Sequence, residues 1–410
     1  MSQWARQAAG FLFVALVFAT PLSIAAIEIL FWPLFIAWIV GWVIPGSSFE
    51  TFRKGHPART TLLWLLLYVA LCGLSIFYSR FQKTSLEGFV GKTFQYFLFF
   101  LIALDVSSDP KILDRSIRAL LCAAGVVVAH SLLQGWAIFR STYKAMVPDP
   151  ILGRTLEYSR MVGPYKNPND LATYLMVTLL VVISLLLNPH QKSSLTKKIL
   201  AVLLAGCLLW IHPRGALLGF LAGMALFLVV NWQRKRVLVG LVGAMLACLG
   251  FYLLLSPSSF KALLTFSDVS SHERLFMWDT GWKMFVSQPV FGHGINTFMS
   301  NYQSYAPDHS ALPAYAHNCF LQTMAEIGLV GFVAFLGFLV SLGKLCWRGI
   351  TASPSTSAVL AGLTAGLCGF LVQSFFDTNL YVVRQAVLFW TLAGMATALS
   401  VQSLRAAPSP

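Results

Sequence analysis

His317 stands at the start of a long apolar run, in Ala316-His317-Asn318-Cys319-Phe320-Leu321-Gln322. A histidine has an ordinary pKa of about 6.5, so it can take and return a proton near neutrality. At the mouth of a helix entering an apolar body, it can meet a hydroxyl arriving from the aqueous side. A lone histidine at such an edge is usually structural. The company it keeps, a large polar loop and several arginines, raises its standing as an acid or base.

The arginines would supply the other half of a reaction. In His212-Pro213-Arg214-Gly215 a tight turn joins two apolar runs and holds Arg214 at their boundary. The bland role is a snorkelling anchor. A guanidinium on a fixed turn also matches a phosphate through two parallel N–H groups. Arg274 follows Ser270-Ser271-His272-Glu273, which reads as a capping box. The helix should run to about Ser287 and stop before Pro289. At about 100° per residue, Leu275, Trp278, Trp282 and Phe285 share one face, with Arg274 at its edge. This fits an interfacial helix, with Arg274 snorkelling or aimed at a charged headgroup. Arg160 and Lys166 precede Asn167-Pro168-Asn169-Asp170. There Asn167 is a good N-cap, Pro168 suits the first helical position, and the free N–H groups attract anions. The competing reading is a capped helix with solvated charges.

Two acids complete the set. Glu326 lies nine residues beyond His317, about 13–14 Å deeper along a helix and on the opposite side. It cannot orient the imidazole and should satisfy backbone or neighbouring groups inside the bundle. Asp377, in Phe376-Asp377-Thr378-Asn379, is followed by Arg384, and these two can pair with each other, as surface ions commonly do.

The elements that position these residues are membrane spans. Of 410 residues, 57% are hydrophobic and 11% charged. A soluble domain has about 45–50% apolar and about 25% charged residues. So little charge cannot coat a water-soluble body, which excludes a cytosolic enzyme, a disordered chain and a nucleic-acid-binding domain. The net charge of +14 then suits basic cytoplasmic loops and anionic lipids or substrates. The seven cysteines lack any CxxC pair, and neither a zinc site nor a disulfide framework is indicated. The first apolar stretch has only Arg6 before it and reads as an uncleaved anchor.

Twelve runs approach the length of about 20 residues that a spanning helix needs: 10–27, 28–44, 60–78, 93–104, 116–139, 168–187, 199–212, 215–231, 237–255, 319–342, 358–376 and 385–402. The fourth and seventh are short. The first two part at Glu28, and Thr20-Pro21 permits a kink or half-span. Basic residues choose the side. Lys192, Lys197, Lys198, Arg234, Lys235 and Arg236 crowd two tight linkers, which puts these and both termini in the cytoplasm. The connections 140–167 and 256–318 then face outward. The chain reads as one polytopic domain over 1–410, with 256–318 as its large periplasmic loop.

Four stretches together resemble a known superfamily. His317-Asn318-x-x-Leu321-Gln322-x-x-x-Glu326-x-Gly328-x-x-Gly331 looks like the signature of the O-antigen ligase and polymerase superfamily of lipid-linked glycan transferases. Pro213-Arg214-Gly215-x-x-x-Gly219 resembles its second signature, with proline where serine is usual. Asn167-Pro168-Asn169-x-Leu171-Ala172 is similar to a third. Arg274-x-x-x-Trp278 through Pro289-x-x-Gly292-x-Gly294 is similar to a fourth.

The resemblance implies an all-α integral membrane glycosyltransferase, GT-C-like, with about twelve transmembrane helices. It implies a bacterial inner-membrane location and a site facing the periplasm. The donor would be a glycan on undecaprenyl pyrophosphate and the acceptor lipid A-core. Membrane lipids would surround it and nucleic acid would play no part. The length, with one moderate loop and no appended domain, looks most like the ligase branch. The polymerase and the protein O-oligosaccharyltransferase are the alternatives. On this reading His317 is the catalytic base, and Arg214, Arg274 and Arg160 hold the pyrophosphate. Asn318, Glu326, Asp377, Asn167 and Asn169 support them. No cofactor or metal is expected: acids at the outer end are sparse, and arginines replace a magnesium site. Direct attack would invert the anomeric centre. A covalent route would need a carboxylate at the mouth, and Asp377 is the one available. A transporter is the rival from another class, but it would favour charges near the midplane and internal repeats, and neither is found.

Overall fold

A computed structural model describes residues 2–43, 55–139, 145–149, 154–158, 160–188, 194–230, 269–306, 315–352 and 354–406, with isolated positions between 236 and 250. The ninth apolar run, 237–255, therefore lies almost wholly outside the described residues. Those residues form helices, apart from one two-stranded antiparallel hairpin, β1 Ala145–Asp149 and β2 Arg154–Tyr158.

The first helices are α1 (Ser2–Ala19), α2 (Ile24–Val43) and α3 (Arg59–Tyr78). Then come α4 (Gln82–Gly88), a π-helical turn over Phe89–Phe94, α5 (Gln95–Val106) and α6 (Pro110–Phe139). After the hairpin run α7 (Pro168–Leu186), α8 (Leu195–Ile211) and α9 (Arg214–Val230). The remainder are α10 (Val269–Ser287), α11 (Phe298–Tyr305), α12 (Cys319–Ala352), α13 (Pro354–Gln373) and α14 (Val383–Ala406).

Among the described residues, seven stretches are long and apolar enough to cross a membrane, and Trp4–Ala19, Arg214–Val230 and Ala358–Gln373 are shorter apolar helices. Two of the expected boundaries move. The first break falls at Thr20–Ser23, where Pro21 has no N–H to continue the helix, and Glu28 lies inside α2. There Glu28 accepts a hydrogen bond from Gln95 Nε2 at 3.1 Å. The short fourth run is the inner part of a longer element, because α4, the π turn and α5 join into one stretch, Gln82–Val106.

α7 and α14 run through the middle of the bundle and are buried along most of their length. α13 packs on α9 and α7, α12 on α3, and α14 on α5. In lipid, close packing must replace the hydrophobic drive, so small residues line such contacts. A Cβ at Gly219 would lie 2.4 Å from the carbonyl oxygen of Gly369, so α9 and α13 touch backbone to backbone.

Polar contacts fix which helix ends lie together. At one end, Trp38 Nε1 donates to Asp105 Oδ2, and Gln402 Nε2 donates to the Ser107 and Ser108 carbonyls. Gly41 packs on Arg6 at that same end. The first helix therefore begins where the last one finishes. At the other end, Arg384 Nη1 donates to the carbonyls of Pro21 and Pro164, and Gln385 Nε2 to that of Asp170. Every sequence-derived candidate but Glu326 lies at or near this second end.

Candidate functional site

Three segments fix His317: the end of the large loop, α10 and the 374–382 connection. The Cys319 N–H donates to the Ser374 carbonyl at 2.8 Å. Trp278 Nε1 donates to the His317 carbonyl at 3.3 Å, and its ring meets that of Phe376 at 6.5 Å. His317 has φ +47°, a left-handed conformation uncommon in a residue with a Cβ. Asn318 caps α12, its Oδ1 accepting from the N–H groups of Phe320 and Leu321 at 3.0 Å each.

Asp377 pairs with His317 rather than with Arg384. His317 Nδ1 lies 3.4 Å from Asp377 Oδ1. That is long for a hydrogen bond of about 2.7–3.2 Å, but within ion-pair reach. The Thr378 N–H also donates to Asp377 Oδ1 at 2.8 Å. Burial opposes the charge on Asp377. The bond to His317, that residue's charge, the Thr378 N–H and the nearby Arg274 outweigh it and hold the carboxyl below its ordinary value. Arg384 is buried, spends Nη1 on backbone carbonyls, and lies 4.2 Å over the Tyr165 ring. The expected Asp377–Arg384 pair is thus absent, because a buried guanidinium so close to carbonyls is used to bind segments together.

Arg274 brings its charge to Asp377, and its Nε is buried with no hydrogen-bond partner among the described residues. Arg214 is the first residue of α9, and the neighbouring Gly215 packs on Phe376 beside Asp377. A Cβ at Gly215 would sit 3.4 Å from Phe376 Cβ. Arg160 is exposed and lies near His212, where burial first and then the Arg160 charge push the imidazole below its ordinary value. The structure therefore brings His317, Asp377 and Arg274 together, with Arg214 one residue from their support and Arg160 beside the α8–α9 turn.

The start of α7 turns inward. Asn167 Oδ1 caps it, accepting from the Asn169 N–H at 2.8 Å, with Pro168 next. Asp170 already supplies an acid in the first turn, so this helix end carries its own negative partner. The Asn169 carbonyl accepts from Gln373 Nε2 at 3.3 Å.

On α10, Leu275 and Trp282 are exposed, Trp278 and Phe285 half-buried, and Thr280, Gly281 and Met284 face inward. α10 ends at Ser287, as the sequence suggests. It contains Ser270 rather than starting after it, and the side chains of the capping box lie outside the described residues.

Glu326 builds the floor. Its carboxylate accepts from the N–H groups of Asn296 (2.9 Å) and Phe298 (3.2 Å), from Gln322 Nε2 (3.2 Å) and from Tyr381 Oη (3.3 Å). The helix breaks just below, at Gly328, with φ +65° and ψ −171°. Freed backbone groups there pair with the 289–294 turn: Leu329 N–H donates to the Pro289 carbonyl and Gly294 N–H to the Glu326 carbonyl. A Cβ at Gly328 would lie 2.3 Å from the Val290 oxygen, and one at Gly292 would lie 2.5 Å from the Glu326 carbonyl. Two of the sequence motifs are therefore one structural joint.

A buried donor left without an acceptor costs about 1–3 kcal/mol. Glu326→Ala orphans several and should destabilise the protein severely, read as a lower thermal midpoint in detergent. Gly328→Ala should do the same. Normal stability in both would remove this joint from the account.

Sequence reasoning passed over Lys92. Its Nζ donates to Asn296 Oδ1 at 2.9 Å and Tyr315 Oη at 3.3 Å. The available signal was a single cation just before the fourth apolar run.

A body of apolar helices with a histidine, a buried carboxylate and a guanidinium gathered at one end defines an α-helical membrane protein with a polar site at the bundle mouth. Residues 199–336 match a family described as O-antigen ligase. That match supports membership of the O-antigen ligase and polymerase superfamily. The matched segment contains Arg214, Arg274, His317 and Glu326. A search of curated proteins finds no match.

Proposed function

We propose that this chain is an O-antigen ligase of the bacterial inner membrane. It moves a glycan from undecaprenyl pyrophosphate to lipid A-core at the periplasmic side, without a metal, and inverts the anomeric centre. The observation that carries the reading is the His317–Asp377 pair with Arg274 beside it at the mouth of the bundle. Asp377 faces Nδ1, which leaves Nε2 of His317 for the acceptor hydroxyl. As the new C–O bond forms, His317 takes the hydroxyl proton. The glycosidic C–O bond breaks and its electron pair leaves on the pyrophosphate. Arg274 and Arg214 neutralise that developing charge. Asp377 is buried beneath the imidazole, which suits a partner that steadies His317 and does not suit a nucleophile.

The test is a reconstituted assay with lipid-linked O-antigen and purified lipid A-core, with no metal or nucleotide. Glycan on the core supports the ligase. Longer lipid-linked chains would make the protein a polymerase. The absence of both products would overturn the proposal.

The orientation has its own check. Basic residues at the starts of α6 and α8 and the end of α12 lie at the end opposite His317. Reporter fusions at Gln191 and Ser304 should give opposite signals, cytoplasmic for the first. The same signal from both would undo the periplasmic assignment.

A further inference from the structure

Lys92 lines a cavity that the reaction above does not use, bounded by α3, α5, the 295–296 turn and Tyr381. An ammonium has three N–H donors, and Asn296 and Tyr315 take two. Tyr96, also on the wall, has a buried Oη with no hydrogen-bond partner among the described residues. Leu65, Val69, Phe97 and Trp390 make the remaining wall apolar. The free space is about 40 Å³. One water needs about 10–15 Å³ of such space, so the cavity takes a group of a few heavy atoms.

The backbone around it is specialised. Lys92 lies in the π-helical turn, a feature that often marks functional sites. Asn296 has φ +61°, and a Cβ at Gly88 would meet Asn296 Cβ at 2.1 Å. Glu326 lies within electrostatic reach of Lys92. Its oxygens are already taken by Asn296, Phe298, Gln322 and Tyr381. An ammonium and a phenol offering donors in an apolar pocket suit a small anion. Tyr315 lies two residues before His317, so a molecule held here extends toward the base.

We infer that this cavity binds an anionic substituent, a phosphate or a carboxylate, on the acceptor glycan, and so selects which hydroxyl meets His317. This rests on the ligase reading. Purified protein in nanodiscs would be tested for equilibrium binding of labelled lipid A-core and for initial rates. Three acceptors serve: native, phosphatase-treated and carboxyl-amidated. Lys92→Met should weaken native acceptor binding and raise its KM by about tenfold or more, the worth of a charged hydrogen bond. Donor KM and kcat should stay within about twofold on the same grounds. One acceptor treatment should cause the same loss in the unmodified protein and no further loss in the variant, and that treatment identifies the anion. Tyr96→Phe should give a smaller loss with the same pattern. It decides the matter alone if Lys92→Met does not fold.

Equal binding of all three acceptors overturns the subsite, as does a rise in donor KM or an unchanged Tyr96→Phe. Charge-selective acceptor binding without transfer would sink the ligase reading and leave the subsite. Transfer without charge selection would do the reverse.

Discussion

His317→Ala should lower the rate of glycan transfer by about 10²–10⁴, the usual worth of a positioned general base. The protein should still insert, because the imidazole is about a third exposed and supports little packing. Donor binding should survive, since the arginines carry it. The deficit should shrink as pH rises, because hydroxide partly replaces the lost base.

Asp377 sets a bound on the acid side of the profile. Its carboxyl is held below the ordinary value of about 3.9, so it stays ionised at neutral and mildly acidic pH. The stability it contributes is present above that ordinary value and is lost only as pH falls through the depressed one. A fall in activity above about pH 5 therefore does not come from Asp377. Single-turnover rates across pH, with donor binding measured separately, would check this. A variant that cannot bind donor would make His317 a binding residue. Full activity would leave it a helix-mouth anchor.

Much of this site was legible in the sequence because membrane burial makes polar residues conspicuous. Against so apolar a background, His317, Arg214, Arg274 and Glu326 each interrupt or border an apolar run, and interruption is costly enough to need a reason. The cap at Asn167-Pro168 and the end of α10 before Pro289 were readable from local backbone chemistry alone. Pairing was not readable. Asp377 lies 60 residues from His317, and a nearer partner, Arg384, satisfied the same local logic. Only packing shows that Arg384 reaches the carbonyls of Pro21 and Pro164. The joint between Gly328 and the 289–294 turn was hidden for the same reason, since glycines in two motifs do not announce that they touch. Lys92 lacked a signal beyond its charge, because the π turn that directs it has no sequence signature here.

Arg274→Ala should cut transfer by about 10²–10³, the usual cost of losing one preorganised donor to a developing charge. Arg274 Nε is buried and has no partner among the described residues, yet the guanidinium lies near enough to Asp377 to favour its carboxylate. A buried donor in that position is explained if an anion completes it. Removing the side chain therefore does two things: it takes away a donor to the pyrophosphate, and it lets the Asp377 carboxyl move up toward its ordinary value. Arg274→Lys separates them. Lysine keeps a positive charge near Asp377 but cannot offer two parallel N–H groups. If the fork matters, lysine should rescue poorly, and the donor KM should remain raised while the pH profile returns to that of the unmodified protein. If lysine restores transfer, Arg274 acts through its charge on Asp377 and the pyrophosphate is held elsewhere. Arg214→Ala gives the independent comparison, because Arg214 opens α9 one residue before the Gly215–Phe376 contact. It should raise donor KM and lower kcat without altering the acid side of the profile. Normal rates in both alanine variants would move pyrophosphate recognition to another part of the outer end, with Arg160 the next side chain to change.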